Sequence, residues 1–387
     1  MSFNATFPIW LNPIIGGLLT SLVIFWDGHA EGFGSNYYIQ SINFRNGNIP
    51  LKTFFSKLIA SACTIGFYGS GGYEGPMLMI GGSLGNYLSW IPIVRNYCNE
   101  EEHRIMSICG AAGALGAIFH SPLGGGLFVV EILYKSSLHY TDLFPAMLSS
   151  TIGYTTFSMI YGPDPLFKIP GYKPDINNII LFIISGIIAG LVSLLFMSIF
   201  EKTRLFFEKN ETKLYNFSPV FGGILTGIIL IFITDVGGTG VEIIQNLIFE
   251  PMPVNFLILL LVGKILATSF TIGSKGSAGL VIPALFIGAV MGNMIASIIG
   301  VTAEGLTTSL VAAGMAGSFA SIANVPVAAA VILIEMMGLQ LGVPAIIGSV
   351  VGYAVGRRRI IYDTTHVVNT EYQEGKSFRK ADRHYEE

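Results

Sequence analysis

The sequence predicts an all-α, polytopic integral membrane protein built from two inverted repeats of tilted and broken helices. Three observations predict this: an apolar, charge-poor composition, a series of long uncharged runs, and a match between the two halves of the chain.

The composition sets the class. Of 387 residues, 52% are hydrophobic and only 12% are charged, and the mean hydropathy is +0.64. Soluble globular chains carry about 25% charged residues, and a soluble domain of this size cannot hide so much apolar surface. A cytosolic enzyme, a disordered chain and a disulfide scaffold are excluded. The net charge of −3 offers no basic field for nucleic acid. Cys63, Cys98 and Cys109 show no metal-ligand spacing and read as structural thiols. No His/Asp/Glu cluster has ligand spacing either, so no metal and no cofactor is expected.

The uncharged runs set the spans. Residues 105–130, 136–141, 143–163, 176–200, 276–303 and 305–334 contain no Asp, Glu, Lys or Arg. A membrane-crossing helix needs about 20 apolar residues. Breaks such as Gly124-Gly125-Gly126 and Pro326 predict short, tilted or discontinuous helices. Small residues crowd 110–126 and 312–323, where helix backbones can approach closely. Lys202, Arg204, Lys209 and Lys213 follow one long span, and Arg357, Arg358 and Arg359 follow another. The positive-inside rule places both clusters, and a polar tail over 364–387, in the cytoplasm. Residues 1–44 lack Lys and Arg, which places the start of the chain outside and removes the charged region of a signal peptide.

The internal match is the most informative feature. Residues 64–85 read TIGFYGSGGYEGPMLMIGGSLG and residues 271–292 read TIGSKGSAGLVIPALFIGAVMG. At a constant offset of 207, eleven of these 22 positions are identical. Lys57 meets Lys264 at the same offset. Pro13 and its two glycines resemble Pro219 and its own, Gly32-Phe-Gly resembles Gly238-Thr-Gly, and Glu131 meets Glu335. Chance glycine matches do not stay collinear over such a length. Residues 1–160 and 161–363 are therefore expected to be two membrane repeats, with the site between broken helices near the midplane. The span near 179–203 has no partner before Pro13. This predicts one helix of the first repeat to be absent, so that a longer form exists or this form is poorly stable and exposes an apolar groove.

The glycine loops carry the chemistry. Gly72-Tyr73-Glu74-Gly75-Pro76 and Gly279-Leu280-Val281-Ile282-Pro283 each follow one helix and open another. A helix N-terminus offers free N–H groups and partial positive charge. Several converging at the midplane would bind an anion and still let it leave. Tightly packed turns with no ligand are the alternative. Glu74 lies inside one loop, where a carboxylate is expensive and usually functional. It would occupy the anion site itself and leave when protonated, or it would simply cap its helix. Glu131 and Glu335 read as helix-end hydrogen-bonding groups, and Lys57 and Lys264 as helix-end anchors. Tyr362 reads as an interfacial tyrosine.

These motifs resemble those of the CLC family of chloride channels and chloride/proton antiporters over about residues 10–363. Residues 72–76 look like its GREGP, with Tyr73 for Arg, and residues 279–283 like its GxFxP, with Val281 for Phe. The stretch from Ala111-Ala112-Gly113 through Phe119, Pro122-Leu123 and Leu127-Phe128 to Glu131 resembles a third motif. The resemblance implies a gating role for Glu74 and anion contacts at Leu280 and Val281. It places Phe33, Gly34 and Ser35 where the family has GSGIP, with Phe33 in place of the anion-coordinating Ser. Gly75 belongs to the same anion site, and Tyr362 falls near the family's anion-coordinating Tyr. Gly72, Pro76, Gly279 and Pro283 shape the loops. The family's inner proton glutamate is replaced by Ile132, and its regulatory CBS pair is absent.

The expected function is transport of a small inorganic anion, most simply chloride, across the plasma membrane through a pore gated by Glu74, with weak or absent proton coupling. The alternatives are a chloride/proton antiporter and a carrier of another halide such as fluoride. An integral membrane enzyme using Glu74, Glu131, His120 or Glu335, and a cation carrier, are the readings from other classes. The expected partners are the anion, the lipid bilayer and a second copy of the chain. By the resemblance, the homodimer interface uses about 122–135, 143–160, 326–339 and 343–356, with bulky side chains such as Phe128, Leu133, Phe144, Ile332 and Leu333.

Overall fold

A computed structural model describes residues 8–96, 98–134, 139–171, 178–209, 217–301, 305–359 and 361. The first half contains α1 (Asn12–Trp26), α2 (Ser35–Phe44), α3 (Leu51–Gly66), α4 (Glu74–Ser89), a single turn α5 (Pro92–Arg95), α6 (Glu100–Phe119), α7 (Gly124–Glu131) and α8 (Tyr140–Tyr161). The second half contains α9 (Ile179–Lys209), α10 (Ser218–Phe232), α11 (Val241–Phe249), α12 (Val254–Gly273), α13 (Val281–Ile299), α14 (Leu306–Ala323), α15 (Pro326–Met337) and α16 (Gly342–Gly356). The order matches helix for helix: α1 with α10, α2 with α11, α3 with α12, α4 with α13, and α6, α7 and α8 with α14, α15 and α16. The helix α9 has no counterpart among the described residues before α1.

Six segments are long and apolar enough to cross a membrane among the described residues: Ile9–Trp26, Ile179–Lys209, Val254–Gly273, Val281–Ile299, Leu306–Ala323 and Leu339–Gly356. The chain is a multi-pass membrane protein. Most of its other helices are shorter, as the Gly and Pro breaks predict, while α6 and α8, at 20 and 22 residues, are long enough but less apolar. Lys202 and Arg204 put the end of α9 at the cytoplasmic face, and Arg357–Arg359 put the end of α16 there too.

Glycines at repeat-related positions let the helices cross in contact. A Cβ on Gly17 of α1 would strike the Pro219 carbonyl of α10, and one on Gly223 of α10 would strike the Pro13 carbonyl of α1. The same reciprocity holds where Gly81 of α4 meets Gly110 of α6, and where Gly288 of α13 meets Gly314 of α14. Without a hydrophobic drive between helices in lipid, such close packing is what holds them together. The innermost helices, α13 and α14, are buried over nearly their whole length.

Two glutamates cap each other's repeats. Glu131, at the end of α7, accepts from the N–H groups of Val327 (3.1 Å) and Ala328 (2.7 Å) at the start of α15. Glu335, in the last turn of α15, accepts from the N–H groups of Leu123 (3.2 Å) and Gly124 (2.9 Å) and from the Ser121 hydroxyl, at the start of α7. Both therefore have the helix-end role expected of them.

The expected lipid or partner face needs one correction. Phe128, Leu133, Ile332 and Leu333 are fully buried inside the chain, because α7 and α15 turn these side chains onto α14 and each other. Of the five bulky residues, only Phe144 points outward, at 75% exposure. The apolar outer surface of these segments is instead made by Leu123, Phe144, Leu148, Ile152, Val327, Ile346 and Val350.

Candidate functional site

The two repeats meet back to back at the glycine loops. Gly72 N donates to the Gly279 carbonyl (2.8 Å) and Gly279 N donates to the Gly72 carbonyl (2.7 Å). Around this pair the contacts repeat under a two-fold rotation. Ser70 N donates to Thr271 Oγ1 (3.1 Å), and Ser277 N to Thr64 Oγ1 (3.0 Å). Thr64 also pairs with Thr20 (2.8 Å), and Thr271 with Thr226 (3.0 Å). Gly32 N donates to the Lys275 carbonyl and Gly238 N to the Tyr68 carbonyl. This set fixes α4 and α13 so that their N-termini start beside each other and run apart.

Glu74 lies at that meeting point and is 1% exposed. Its Oε1 accepts a hydrogen bond from the Val281 N–H at the start of α13. Val281 is the residue that matches Glu74 in the other repeat, so the carboxylate of one repeat caps the helix N-terminus of its counterpart. The carboxylate rests between two glycines. A Cβ on Gly72 or on Gly279 would overlap it. Pro76 and Pro283 lie in the first turns of α4 and α13, where no helical hydrogen bond is lost.

The hydrogen bonding of Glu74 is incomplete. Glu74 Oε2 is buried and has no hydrogen-bond partner among the described residues. Both oxygens of Glu131 and of Glu335, by contrast, accept N–H donors. A fully satisfied buried carboxylate is held in place, whereas a half-satisfied one carries a desolvation cost that exchange can relieve.

Phe33, Gly34 and Ser35 approach the same point from the cytoplasmic side. Gly34 caps α2 in a left-handed conformation, with φ +77°. The Phe33 carbonyl abuts Gly75 so closely that a Cβ there would overlap it, and Ser35 Oγ lies 3.4 Å from that Cβ position. Leu280 is buried at the N-cap of α13. The structure thus gathers Phe33, Gly34, Ser35, Gly72, Glu74, Gly75, Gly279 and Val281. Tyr362 lies outside the described residues. Ile132 is buried, at 2% exposure, just past the end of α7.

Lys57 and Lys264 are not helix-end anchors. Both are fully buried within α3 and α12. The Lys57 ammonium donates to the carbonyls of Ala30 (3.0 Å), Glu31 (3.0 Å) and Gly32 (2.7 Å). The Lys264 ammonium donates to those of Val236 (3.2 Å), Gly238 (3.0 Å) and Thr239 (3.1 Å). Each clamps the turn that leads into the short helix α2 or α11. The missed signal was the pairing of the two in the repeat: a lysine retained in both copies of an apolar helix has a buried partner to satisfy.

A cavity of about 290 Å³ opens from the Phe33–Gly34 turn. Arg204 and Glu208 of α9 line it, which places its mouth at the cytoplasmic face, and His29, Glu31, Tyr37, Phe200 and Lys275 complete its wall. The Phe33 and Phe200 rings meet edge to face, 6.0 Å apart. Converging helix N-termini, a buried carboxylate where they meet and a cavity open to one side form an arrangement suited to binding and releasing a small anion.

Known proteins agree with this geometry. The family model described as "Voltage gated chloride channel" matches residues 15–357. An uncharacterized protein of Methanocaldococcus jannaschii is 30% identical over 355 residues, covering 92% of this chain and 87% of its own length. The "H(+)/Cl(-) exchange transporter ClcA" of Vibrio vulnificus is 28% identical over 349 residues, covering 85% of this chain and 73% of the relative. A solved structure of "a CLC-type fluoride/proton antiporter" superposes with a TM-score of 0.78 at 22% identity, over 92% of this chain and 88% of the other. The members of this family are transporters and channels for anions, and the chain, with its paired glycine loops and its carboxylate on the start of α13, belongs to the voltage gated chloride channel family.

Proposed function

We propose that this protein moves chloride across the plasma membrane through a path gated by Glu74, with weak or absent proton coupling, and that it is no enzyme. The observation that carries the reading is the Glu74 carboxylate on the Val281 N–H, in a cradle that only glycines leave open. A carboxylate at a helix N-terminus stands where a permeating anion would stand. The two compete, and protonation of Glu74 releases the site. Flux therefore rises as pH falls. Phe33, Gly34, Ser35, Gly75, Leu280, Val281 and Tyr362 are assigned to the anion path, and Gly72, Pro76, Gly279 and Pro283 to its loops. The functional unit is a homodimer with one path in each subunit. The outward apolar side chains of α8, α15 and α16 supply its interface.

The test is anion flux from loaded liposomes. Glu74→Gln and Glu74→Ala keep an open path and lose most of the pH dependence. Folded variants whose flux keeps the wild-type pH profile refute the gate.

A second reading is a proton-coupled exchanger of chloride or fluoride. Similarity to a chloride/proton exchanger and to the fold of a fluoride/proton antiporter favours it. Ile132 argues against it, because an isoleucine holds no proton where the resemblance places the inner glutamate. Chloride and fluoride electrodes on the same liposomes, with and without a pH gradient, separate the readings.

A further inference from the structure

The two-fold relation between the repeats isolates one feature that belongs to the cytoplasmic side alone. Gly32 N donates to the Lys275 carbonyl, and in the other repeat Gly238 N donates to the Tyr68 carbonyl. The backbones match, but the side chains do not. Glu31 and Lys275 form an ion pair across the repeats (3.7 Å), whereas the matching outer positions are Gly237 and Tyr68. The pair stands in the wall of the 290 Å³ cavity that leads to Phe33 and Gly34.

The backbone of Lys275 is costly to keep. Its φ is +79°, in the left-handed region. A residue with a Cβ is disfavoured there and glycine is not. The side chain is nevertheless turned into the cavity and 10% exposed, beside a Glu31 side chain that is 35% exposed. Tyr68, at the matching outer position, shares the left-handed backbone with φ +62°, so that conformation belongs to the two-fold turn, and what sets the cytoplasmic copy apart is the Lys275 charge and its pairing with Glu31 across the cavity wall.

We propose that Glu31 and Lys275 form a second, cytoplasmic anion gate in series with Glu74, in which the Glu31 carboxylate competes with the incoming anion for Lys275. This deepens the transport reading and rests on it. Lys275 recruits the anion into the cavity, and Glu31 screens it when the anion is scarce. The other charged or titratable groups facing Glu31 are Asp27 and His29 on its own turn, Lys57 through the backbone carbonyl, Tyr37 on α2, and Arg204 and Glu208 across the cavity on α9.

Everted and right-side-out membrane vesicles from cells expressing the full chain test this, with chloride and fluoride uptake measured at independently set inner and outer pH. Lys275→Gly removes the charge and relieves the backbone, so folding is preserved. It raises the half-saturating anion concentration at the cytoplasmic face about fivefold, the order expected of one partly screened charge. Glu31→Gln lowers that concentration, and Lys275→Arg keeps the wild-type value. Tyr68→Gly, at the matching outer position, leaves the cytoplasmic affinity unchanged. The same shifts persist in a Glu74→Ala background, where the central gate is already removed. A folded Lys275→Gly protein whose cytoplasmic affinity stays within twofold of wild type overturns the second gate while leaving the transport reading intact. Absence of chloride and fluoride uptake by both wild type and Glu74→Ala overturns the transport reading and the gate together.

Discussion

Gly72→Ala tests the gate without touching the glutamate. The new Cβ would overlap Glu74 Oε2 and lie 2.8 Å from both Cδ and Oε1 of the same carboxylate. These are its three nearest neighbours, and all belong to the tip of one side chain. The backbone has no need to move; the carboxylate does. Expelled, it loses its hydrogen bond from the Val281 N–H, which as a bond to a charged group is worth about 1.5–3 kcal/mol. The alternative position of the side chain is untouched by the methyl group. The ratio of vacated to occupied site therefore rises about 10- to 150-fold. Anion efflux from liposomes at neutral pH should increase, and its acid activation should flatten, as if Glu74 had been neutralised. The double variant Gly72→Ala/Glu74→Ala should behave like Glu74→Ala alone, since both act on one group. Wild-type flux and pH profile in folded Gly72→Ala protein would refute the assignment of this cradle as the gate.

Lys57→Met and Lys264→Met each strand three carbonyls, at about 1–3 kcal/mol apiece, so each should lower stability by about 3 kcal/mol or more; thermal unfolding in detergent that moves by less than a degree or two contradicts the clamp. Tryptophan at the outward positions Leu148, Ile152 or Val350 should yield monomers that still carry anion, read by light scattering and liposome flux; loss of flux in every folded monomer counts against one path per subunit. With Ile132 buried on the cytoplasmic side, an imposed pH gradient should change the rate of anion flux without shifting its reversal potential; a fixed anion-to-proton ratio establishes an antiporter with another inner route.

Much of the fold was legible because it is written twice. The offset of 207 that pairs Thr64 with Thr271 in sequence also pairs them in space, each taking the N–H of the other repeat's serine. The role of Glu131 and Glu335 followed from their places at the ends of apolar helices. The lysines were misread because a charged residue in an apolar run suggests a helix end, and sequence periodicity carries no information on the carbonyls that a turn will present. The outer face was misread for a related reason. Phe128 and Phe144 are equally apolar in sequence, and only the packing of α7 between α6, α8 and α15, which turns the Phe128 ring onto Phe319, decides that one is buried and the other is not. The cavity was invisible because α9 supplies one wall, and α9 has no counterpart among the described residues of the first half.

Symmetry also separates scaffold from path. Where the repeats agree, the residues close hydrogen bonds: the Gly72–Gly279 pair, the lysine clamps, the glutamate caps and the threonine pairs. Each has its image: the glycine pair and the glutamate caps close across the repeats, and the lysine clamps and threonine pairs close within them. Four positions at which the repeats disagree fall on the route proposed for the anion. Glu74 matches Val281, Phe33 matches Thr239, Glu31 matches Gly237, and Lys275 matches Tyr68. A two-fold scaffold presents the same helix N-termini to both faces of the membrane, and by itself it would bind an anion equally from either side. Glu74 breaks that equality at the centre, since only one repeat carries the carboxylate that can fill the other's site. Phe33, with Phe200 against it, breaks it again at the cytoplasmic approach, by placing an apolar ring where a hydroxyl-bearing threonine stands in the opposite repeat. On the proposed path, an anion arriving from the cytoplasm meets the Glu31–Lys275 pair and the Phe33–Phe200 rings before it reaches the carboxylate, and one arriving from outside meets neither.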